Sequence, residues 1–170
     1  PLTKNIGTLI PGFDTRLRGK TLTMATLKGI AYRKKSKAEM LETRAVAVTP
    51  ESGVAGDYRG RPHDRQVTVL SLEAWQRACR DINVDLHWTT RRANLLVTGV
   101  EFGAHSVGDI IQIGNLRMRI MLETDPCRRM EMQHPGLMKA LVPEWRGGAC
   151  CRVISGGEIA VGDSVEVISS

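Results

Sequence analysis

The chain has 170 residues, 42% hydrophobic and 25% charged, a usual balance for a globular domain large enough to bury a core. No apolar run approaches the roughly 20 residues that a membrane-spanning helix needs. The first residues lack the apolar block of a secretory signal. The four cysteines, at positions 79, 127, 150 and 151, have neither zinc-site nor thioredoxin-like spacing, and a disulfide framework is unusual at this length. We therefore expect a cytoplasmic protein without a membrane segment.

The net charge of +6 suggests an anionic partner. Aromatic residues make up 4% of the chain and are not interleaved with the basic residues, as stacking platforms for nucleic acid would be. The basic residues form small groups around Arg16, Arg33, Arg91 and Arg128. A solvated basic surface and a pocket for a small phosphorylated anion are both open interpretations, and nucleic acid is the least favoured partner.

Alternating and β-branched segments predict short strands along most of the chain. Residues 1–26 are assigned to an N-terminal extension, with a short strand at 6–10. Further strands are predicted at residues 28–33, 40–49, 66–70, 94–100, 110–113, 116–122, 149–154 and 164–168. Glycine-containing turns separate several of them, such as Gly114-Asn115.

Helical patterns are short and few. Ser71 is placed to cap a helix from about Leu72 to Arg80, whose apolar stripe includes Cys79 and makes that thiol a core residue. A second short helix is predicted at 135–141. Strands in this number, with closely spaced turns and no strand–helix–strand alternation, predict one mainly β domain over residues 27–170. We expect a closed or nearly closed, mostly antiparallel β-barrel with two or three short helices.

The segment from Glu123 to Arg129 carries the most reactive side chain. Pro126 cannot donate to a sheet and is expected to end the preceding strand. The Cys127 thiol then lies at a strand end, with Arg128 and Arg129 next in sequence. A thiolate is the form that attacks sulfur or binds a metal, and neighbouring positive charge favours it. We therefore predict Cys127 as the reactive centre, the alternative being a small buried residue at a strand end.

Other polar residues are candidates for binding an anion. Arg91, Arg92 and Asn94 precede or begin an apolar strand, and arginine forks with an amide suit a phosphate or a polar ring system. The glycine-rich segment from Gly56 offers backbone amides with Arg61 and Arg65, although it lacks the Gly-Lys-Ser/Thr of nucleotide hydrolases. For Arg91 and Arg92 the alternative interpretation is that arginines before a strand are simply exposed.

Two pairs of residues adjacent in sequence are further candidates. His63 beside Asp64 is either an acid–base group or an exposed loop pair. Cys150 and Cys151 are adjacent in a predicted strand, so their side chains point to opposite faces. One of the two thiols is therefore expected in the core and the other in a pocket.

Several motifs, taken in order, resemble those of the MOSC domain, named for the C-terminal domain of eukaryotic molybdenum cofactor sulfurases. They lie within residues 27–168 and are Gly53–Asp57, Asp64–Val69, Glu73, Arg92–Val100, Gly108-Asp109, Ile113-Gly114, Thr124–Cys127, Arg146–Gly148, Gly156–Ile159 and Val161–Val165. Each motif is weak alone, but the ordered set is specific. The resemblance implies a β-barrel, in agreement with the strand pattern.

The resemblance also implies the roles of particular residues. Cys127 corresponds to the family's functional cysteine, thought to carry a persulfide or to bind molybdenum through sulfur. Arg92, Asn94 and Arg146 are implied to hold the phosphorylated pterin of the molybdenum cofactor (molybdopterin). The loop residues Asp57, Arg61 and Arg65 complete the predicted cofactor-binding set.

Some family features do not carry over. Family sulfurases make the persulfide in a large pyridoxal-phosphate domain, for which this chain has no room, so no pyridoxal phosphate is expected. Residues 1–26 are too short for the additional domains of family reductases, and any redox activity would need separate electron-transfer proteins.

Three functions stay open from the sequence. The first is a molybdenum-cofactor-binding protein that supports reduction of N-hydroxylated compounds with partner proteins. The second is a persulfide sulfur carrier for metal–sulfur centre assembly, supplied by a donor such as a cysteine desulfurase. The third is a non-catalytic basic module that binds an anion or nucleic acid.

Overall fold

A computed structural model describes residues 24–170, so the strand predicted at residues 6–10 lies outside the described part of the chain. The strands are β1 (Thr26–Tyr32), β2 (Leu41–Thr43), β3 (Ala45–Thr49), β4 (Gly53–Val54), β5 (Val67–Ser71), β6 (Leu95–Thr98), β7 (Ile110–Ile113), β8 (Leu116–Glu123), β9 (Ala149–Ser155), β10 (Gly157–Ala160) and β11 (Glu166–Ile168). The α-helices are α1 (Leu72–Asp81), α2 (Arg128–Gln133) and α3 (Leu137–Ala140). Single turns of 3₁₀ helix lie at Trp88–Arg91, Ala104–Ser106 and Pro143–Trp145.

The strands form one large and one small sheet. The large sheet has eight strands in the order β11-β7-β8-β9-β5-β6-β1-β2, and the small sheet has the order β10-β3-β4. All pairs are antiparallel except β5 with β6, which are parallel and joined through α1. The sequence interpretation had recognised no strand–helix–strand unit. The two strands and the helix were each predicted, but local patterns do not show which strands pair across a long connection.

The mainly β, mostly antiparallel class is confirmed, but the predicted closed barrel is not, because neither sheet closes on itself. The segment before β11 does approach the start of β1. The Leu27 amide donates to the Asp163 carbonyl, and the Val165 amide donates to the Ala25 carbonyl, both at 2.9 Å. These bonds and one isolated antiparallel bridge between Thr26 and Ser164 hold residues 162–165 against β1, but β1 and β11 themselves do not pair.

Two predicted elements differ from those observed, and α2, β4 and β10 were not predicted. The strand predicted at 40–49 is broken at Arg44 into β2 and β3, which belong to different sheets. Helix α2 was not predicted, since Met130 is its one buried residue and a single apolar side chain makes no periodic stripe. The helix predicted at 135–141 is the shorter α3.

The core has two parts, one on each side of the large sheet. The first contains residues of both sheets, among them Val48 of β3, Ile159 of β10 and Cys151 of β9. The second lies between the large sheet and the helices and contains Cys79, as predicted. Ser71 caps α1 as expected, its hydroxyl accepting from the Ala74 amide at 3.3 Å. The helices of residues 24–170 are too short or too polar to cross a membrane.

Candidate functional site

A cavity of about 330 Å³ opens at one end of the large sheet, where β1 and β8 end and where β6 and β9 begin. Strands β1 and β6 are antiparallel neighbours, as are β8 and β9. The end of one strand therefore lies beside the start of its neighbour, and residues distant in sequence converge here. We call this cavity the Cys127 pocket. Six arginines line it, namely Arg33, Arg59, Arg65, Arg91, Arg92 and Arg129.

Cys127 lies in the turn between β8 and α2, and its thiol is exposed. Strand β8 ends at Glu123, so the prediction that Cys127 follows a strand end is correct. The Met130 amide donates to the Cys127 carbonyl at 2.7 Å, and the Met130 side chain is buried. The thiol is therefore accessible while the backbone that carries it is anchored.

The buried guanidinium of Arg91 lies beneath this turn. Its Nε donates to the Gly147 carbonyl at 2.8 Å, and its Nη2 donates to the Thr124 carbonyl at 2.7 Å and the Asp125 carbonyl at 3.4 Å. Burial lowers the pKa of Arg91, whereas charge on Cys127 acts in the opposite direction. Arg91 thus joins the turn before Cys127 to the start of β9 and places a positive charge near the thiol.

The two glycines after Arg146 allow this arrangement. A Cβ on Gly147 would lie 2.4 Å from the Thr124 carbonyl oxygen, so a larger residue would displace the turn. Gly148 has φ +100° and a hypothetical Cβ 2.4 Å from the Val69 carbonyl oxygen. The Arg-Gly-Gly motif therefore shapes the backbone at the pocket.

Arg146 itself does not line the Cys127 pocket. Its guanidinium pairs with Asp81 at the end of α1 and donates to the Ala140 carbonyl at 3.3 Å. The family resemblance had implied that Arg146 helps to hold the cofactor. The structure does not bring it together with Cys127, because its side chain turns toward the helices.

Arg92 and Asn94 do line the pocket, and both also hold the surrounding backbone. Arg92 has a left-handed backbone, φ 67°, and its Nη2 donates to the Ala38 carbonyl at 2.8 Å. The buried Asn94 accepts from the Thr68 amide at 3.0 Å through Oδ1 and donates to the Ala31 carbonyl at 3.2 Å. Asn94 thus joins β1, β5 and β6 at the pocket floor.

Asp57 lines the pocket as a positioning residue. Its carboxylate accepts from the backbone amides of Arg33 at 2.9 Å and Arg59 at 3.1 Å, which sets these two arginines side by side. Burial lowers the pKa of Arg33, and the charges of Arg59 and Arg129 lower that pKa further. The Asp57 carboxylate acts in the opposite direction. Burial, Arg33 and Arg129 likewise lower the pKa of Arg92. The guanidinium groups repel one another, and a bound anion would relieve that repulsion.

The other two loop residues predicted to bind the cofactor, Arg65 and Arg61, line different cavities. Arg65 lines the Cys127 pocket but forms an exposed ion pair with Asp125 at 3.4 Å, a kind of contact that contributes little to stability. Arg61 instead lines a second cavity of about 530 Å³, which shares Arg33, Ser36 and Arg59 with the first. The sequence signal missed Arg33, Arg59 and Arg129 as members of the site, since their convergence depends on long-range strand pairing.

His63 and Asp64 do not form an acid–base pair. The His63 Nδ1 accepts from the Arg65 amide at 2.9 Å, and Asp64 pairs with Arg152 at 2.8 Å. The loop-pair interpretation is therefore the better one. His63 lines the second cavity.

The adjacent cysteines divide as the alternation predicted. Cys151 lies in the core, and Cys150 lines the pocket floor with its sulfur 3.1 Å from the Thr124 hydroxyl. Burial raises the pKa of both thiols. Between residues 24 and 170, no three His, Cys, Asp or Glu side chains are grouped to hold a metal ion.

Comparison with known proteins gives one family and several similar folds. The sequence model of the MOSC domain matches residues 38–166. The fold is similar to that of the YuaD protein from Bacillus subtilis, with 18% identity, a TM-score of 0.72, and coverage of 87% of this chain and 97% of that one. No match is found among curated proteins.

Two further similar structures share one name. The YiiM protein from Geobacillus stearothermophilus has 18% identity and a TM-score of 0.67, over 85% of this chain and 75% of that one. YiiM from Escherichia coli has 17% identity and a TM-score of 0.65, over 85% of this chain and 70% of that one. At these identities the likeness establishes a shared fold.

Proposed function

Because the chain belongs to the MOSC domain family, we propose that the Cys127 pocket binds the phosphorylated pterin of the molybdenum cofactor, with the Cys127 sulfur as a ligand to molybdenum. The observation that carries the proposal is an accessible thiol at the mouth of an arginine-lined cavity. The bound cofactor supplies redox chemistry at molybdenum. With the cofactor bound, the protein would support the reduction of N-hydroxylated compounds, and separate proteins would supply the electrons.

The donor groups in the pocket suit such a ligand. A thiolate is a soft ligand and guanidinium forks match phosphate oxygens. Within residues 24–170, five of the six lining arginines form no ion pair with a carboxylate, namely Arg33, Arg59, Arg91, Arg92 and Arg129. The cavity of about 330 Å³ is in the size range of small-molecule sites. The positive charge is therefore available to a ligand.

The side chains of the pocket fall into three groups by their role in the proposed function. Arg33, Arg92 and Arg129 hold the phosphate, and their mutual repulsion falls when its negative charge is bound. Cys127 would hold molybdenum through its sulfur, with the buried guanidinium of Arg91 close by. Asp57 and Asn94 act indirectly, by holding the backbone that presents these groups.

Replacing Arg129 by alanine is expected to lower cofactor occupancy about tenfold, the usual consequence of losing one charge-assisted hydrogen bond. Arg128→Ala is the matched control, since Arg128 is exposed and outside the pocket lining. Bound pterin and phosphate are measured per protein chain at limiting cofactor. Equal occupancy in the two variants would contradict the assignment of Arg129.

A second function, that of a persulfide sulfur carrier, is favoured by the exposure of Cys127. A separate protein donor such as a cysteine desulfurase can reach this thiol, whereas the other three are buried. In the transfer, the Cys127 thiolate attacks the outer sulfur of the donor persulfide. A new S–S bond forms at Cys127, the donor S–S bond breaks, and the donor leaves as a thiolate. Both functions need a reduced Cys127, which the cytoplasm would maintain.

A further inference from the structure

The proposed function leaves the second cavity without a ligand of its own. This cavity, of about 530 Å³, is lined by Arg33, Ser36, Tyr58, Arg59, Arg61 and His63. Three of these six residues are arginines. The cavity shares Arg33, Ser36 and Arg59 with the Cys127 pocket. We call it the Tyr58 cavity.

The charge of the Tyr58 cavity favours an anion. Arg59 and Arg61 form no ion pair with carboxylates of the described chain. The nearby Asp57 carboxylate is already engaged by two backbone amides. The buried Nε of Arg33 has no hydrogen-bond partner among the described residues. Unpaired guanidinium groups around a concave surface match the oxygens of a phosphate.

Tyr58 adds an aromatic surface beside these charges. Its side chain is 55% exposed, although its backbone is fixed by a 2.7 Å hydrogen bond from its amide to the Arg33 carbonyl at the end of β1. Such a ring offers a face on which a nucleobase can stack, and base stacking on exposed aromatic residues is tolerant of base identity. The cavity therefore combines phosphate-binding groups with a stacking surface.

His63 supplies a further hydrogen-bond donor. Its Nδ1 accepts from the Arg65 amide, so the neutral ring carries its proton on Nε2. An N–H at this position can donate to a phosphate or ribose oxygen. The same backbone contact fixes the ring in the cavity wall.

We propose that the Tyr58 cavity is a binding site for a nucleoside monophosphate, with the phosphate on Arg59 and Arg61 and the base stacked on Tyr58. A single nucleotide suits the site better than a nucleic-acid strand, because the stacking surface and the arginines line one cavity. The proposal assigns no role to Cys127, which does not line this cavity.

The test is calorimetric titration of the purified protein with each of the four common ribonucleoside 5′-monophosphates and with inorganic phosphate. The best nucleotide is expected to bind at least about tenfold more tightly than phosphate, since stacking adds to the phosphate contacts. Tyr58→Ala should reduce this ratio to about one, whereas Tyr58→Phe should preserve most of it. Arg61→Ala should weaken both probes about tenfold.

Two controls separate this site from its surroundings. Arg128→Ala alters an exposed charge outside both cavities and should leave nucleotide binding unchanged. Cys127→Ser should also leave it unchanged, so that loss of metal binding in that variant bears on the proposed function alone. Equal affinity for nucleotides and phosphate, or an unchanged ratio in Tyr58→Ala, would overturn the proposal. Binding of a ten-nucleotide single strand more than about a hundredfold tighter than a mononucleotide would overturn it in favour of a nucleic-acid interface.

Discussion

Replacement of Arg91 by methionine is expected to lower the free energy of unfolding by about 3 kcal/mol, because it leaves one buried and two partly buried carbonyl acceptors without their donor. The Arg91 side chain is 5% exposed and donates to the carbonyls of Gly147, Thr124 and Asp125. Methionine fills similar space and removes the cost of burying a charge, but it donates no hydrogen bond. Loss of the donors should outweigh that gain. Urea unfolding measures the difference.

The matched control is Arg65→Met. Arg65 lines the same pocket, but its ion pair with Asp125 is exposed, and its removal should cost less than about 0.5 kcal/mol. Arg91→Lys keeps the charge without the planar fork and should fall between the two. A loss below about 1 kcal/mol in Arg91→Met would contradict the role of this residue in holding the turn before Cys127.

The second large effect concerns thiol reactivity. Native protein produced without molybdenum is expected to take up one equivalent of iodoacetamide, on Cys127, before the other cysteines react, and denatured protein should take up four equivalents. Cys127 is exposed, whereas Cys79, Cys150 and Cys151 are 5%, 1% and 0% exposed. Buried thiols react through local opening, which slows them about a hundredfold or more when opening costs about 3 kcal/mol. Mass spectrometry of digested protein locates the label.

Cys127→Ser should reduce native labelling almost to zero. Cys79→Ala serves as the matched control, since it removes a core thiol and should leave the first equivalent unchanged. Labelling of Cys150 at a rate similar to that of Cys127 would show that the pocket floor is open to solvent. That result would contradict the burial on which the separation of the two thiols depends.

Local sequence patterns predicted the parts of the site that lie at strand ends. Pro126 was expected to end the strand before Cys127, and Asn94 to begin an apolar strand, so Cys127 and Asn94 were both expected at strand ends. The structure brings Cys127, Arg92, Asn94, Asp57 and Arg65 to one pocket. The division between Cys150 and Cys151 also follows from the two-residue period of a strand.

Contacts between residues far apart in sequence could not be predicted from those local patterns. Arg91 and Arg92 are consecutive, yet one is buried under the Cys127 turn and the other joins the pocket wall to Ala38. The left-handed backbone at Arg92 reverses the chain between them, and nothing in the residue type signals it. Arg146 matches the family motif but pairs with Asp81, 65 residues away in sequence.

Sheet closure could not be predicted for a related reason. Whether strands close into a barrel depends on stagger and pairing around the whole sheet rather than on any local pattern. Here β2 and β11 remain at the ends of the large sheet, and residues 162–165 meet β1 through a few backbone bonds. Strands β5 and β6 were both predicted, but their parallel pairing was not, because local patterns do not show which strands become neighbours.

The most direct test of the account is the molybdenum and pterin content of protein purified from a molybdenum-replete host. The wild-type chain should contain about one molybdenum and one pterin per protein, and Cys127→Ser, with an unchanged unfolding curve, should contain almost no molybdenum. Molybdenum retained at full stoichiometry in Cys127→Ser would contradict the assignment of Cys127 as its ligand. A wild-type chain without molybdenum, whose Cys127 gains the mass of one sulfur atom on incubation with a desulfurase, would contradict the cofactor-binding function and support the sulfur carrier.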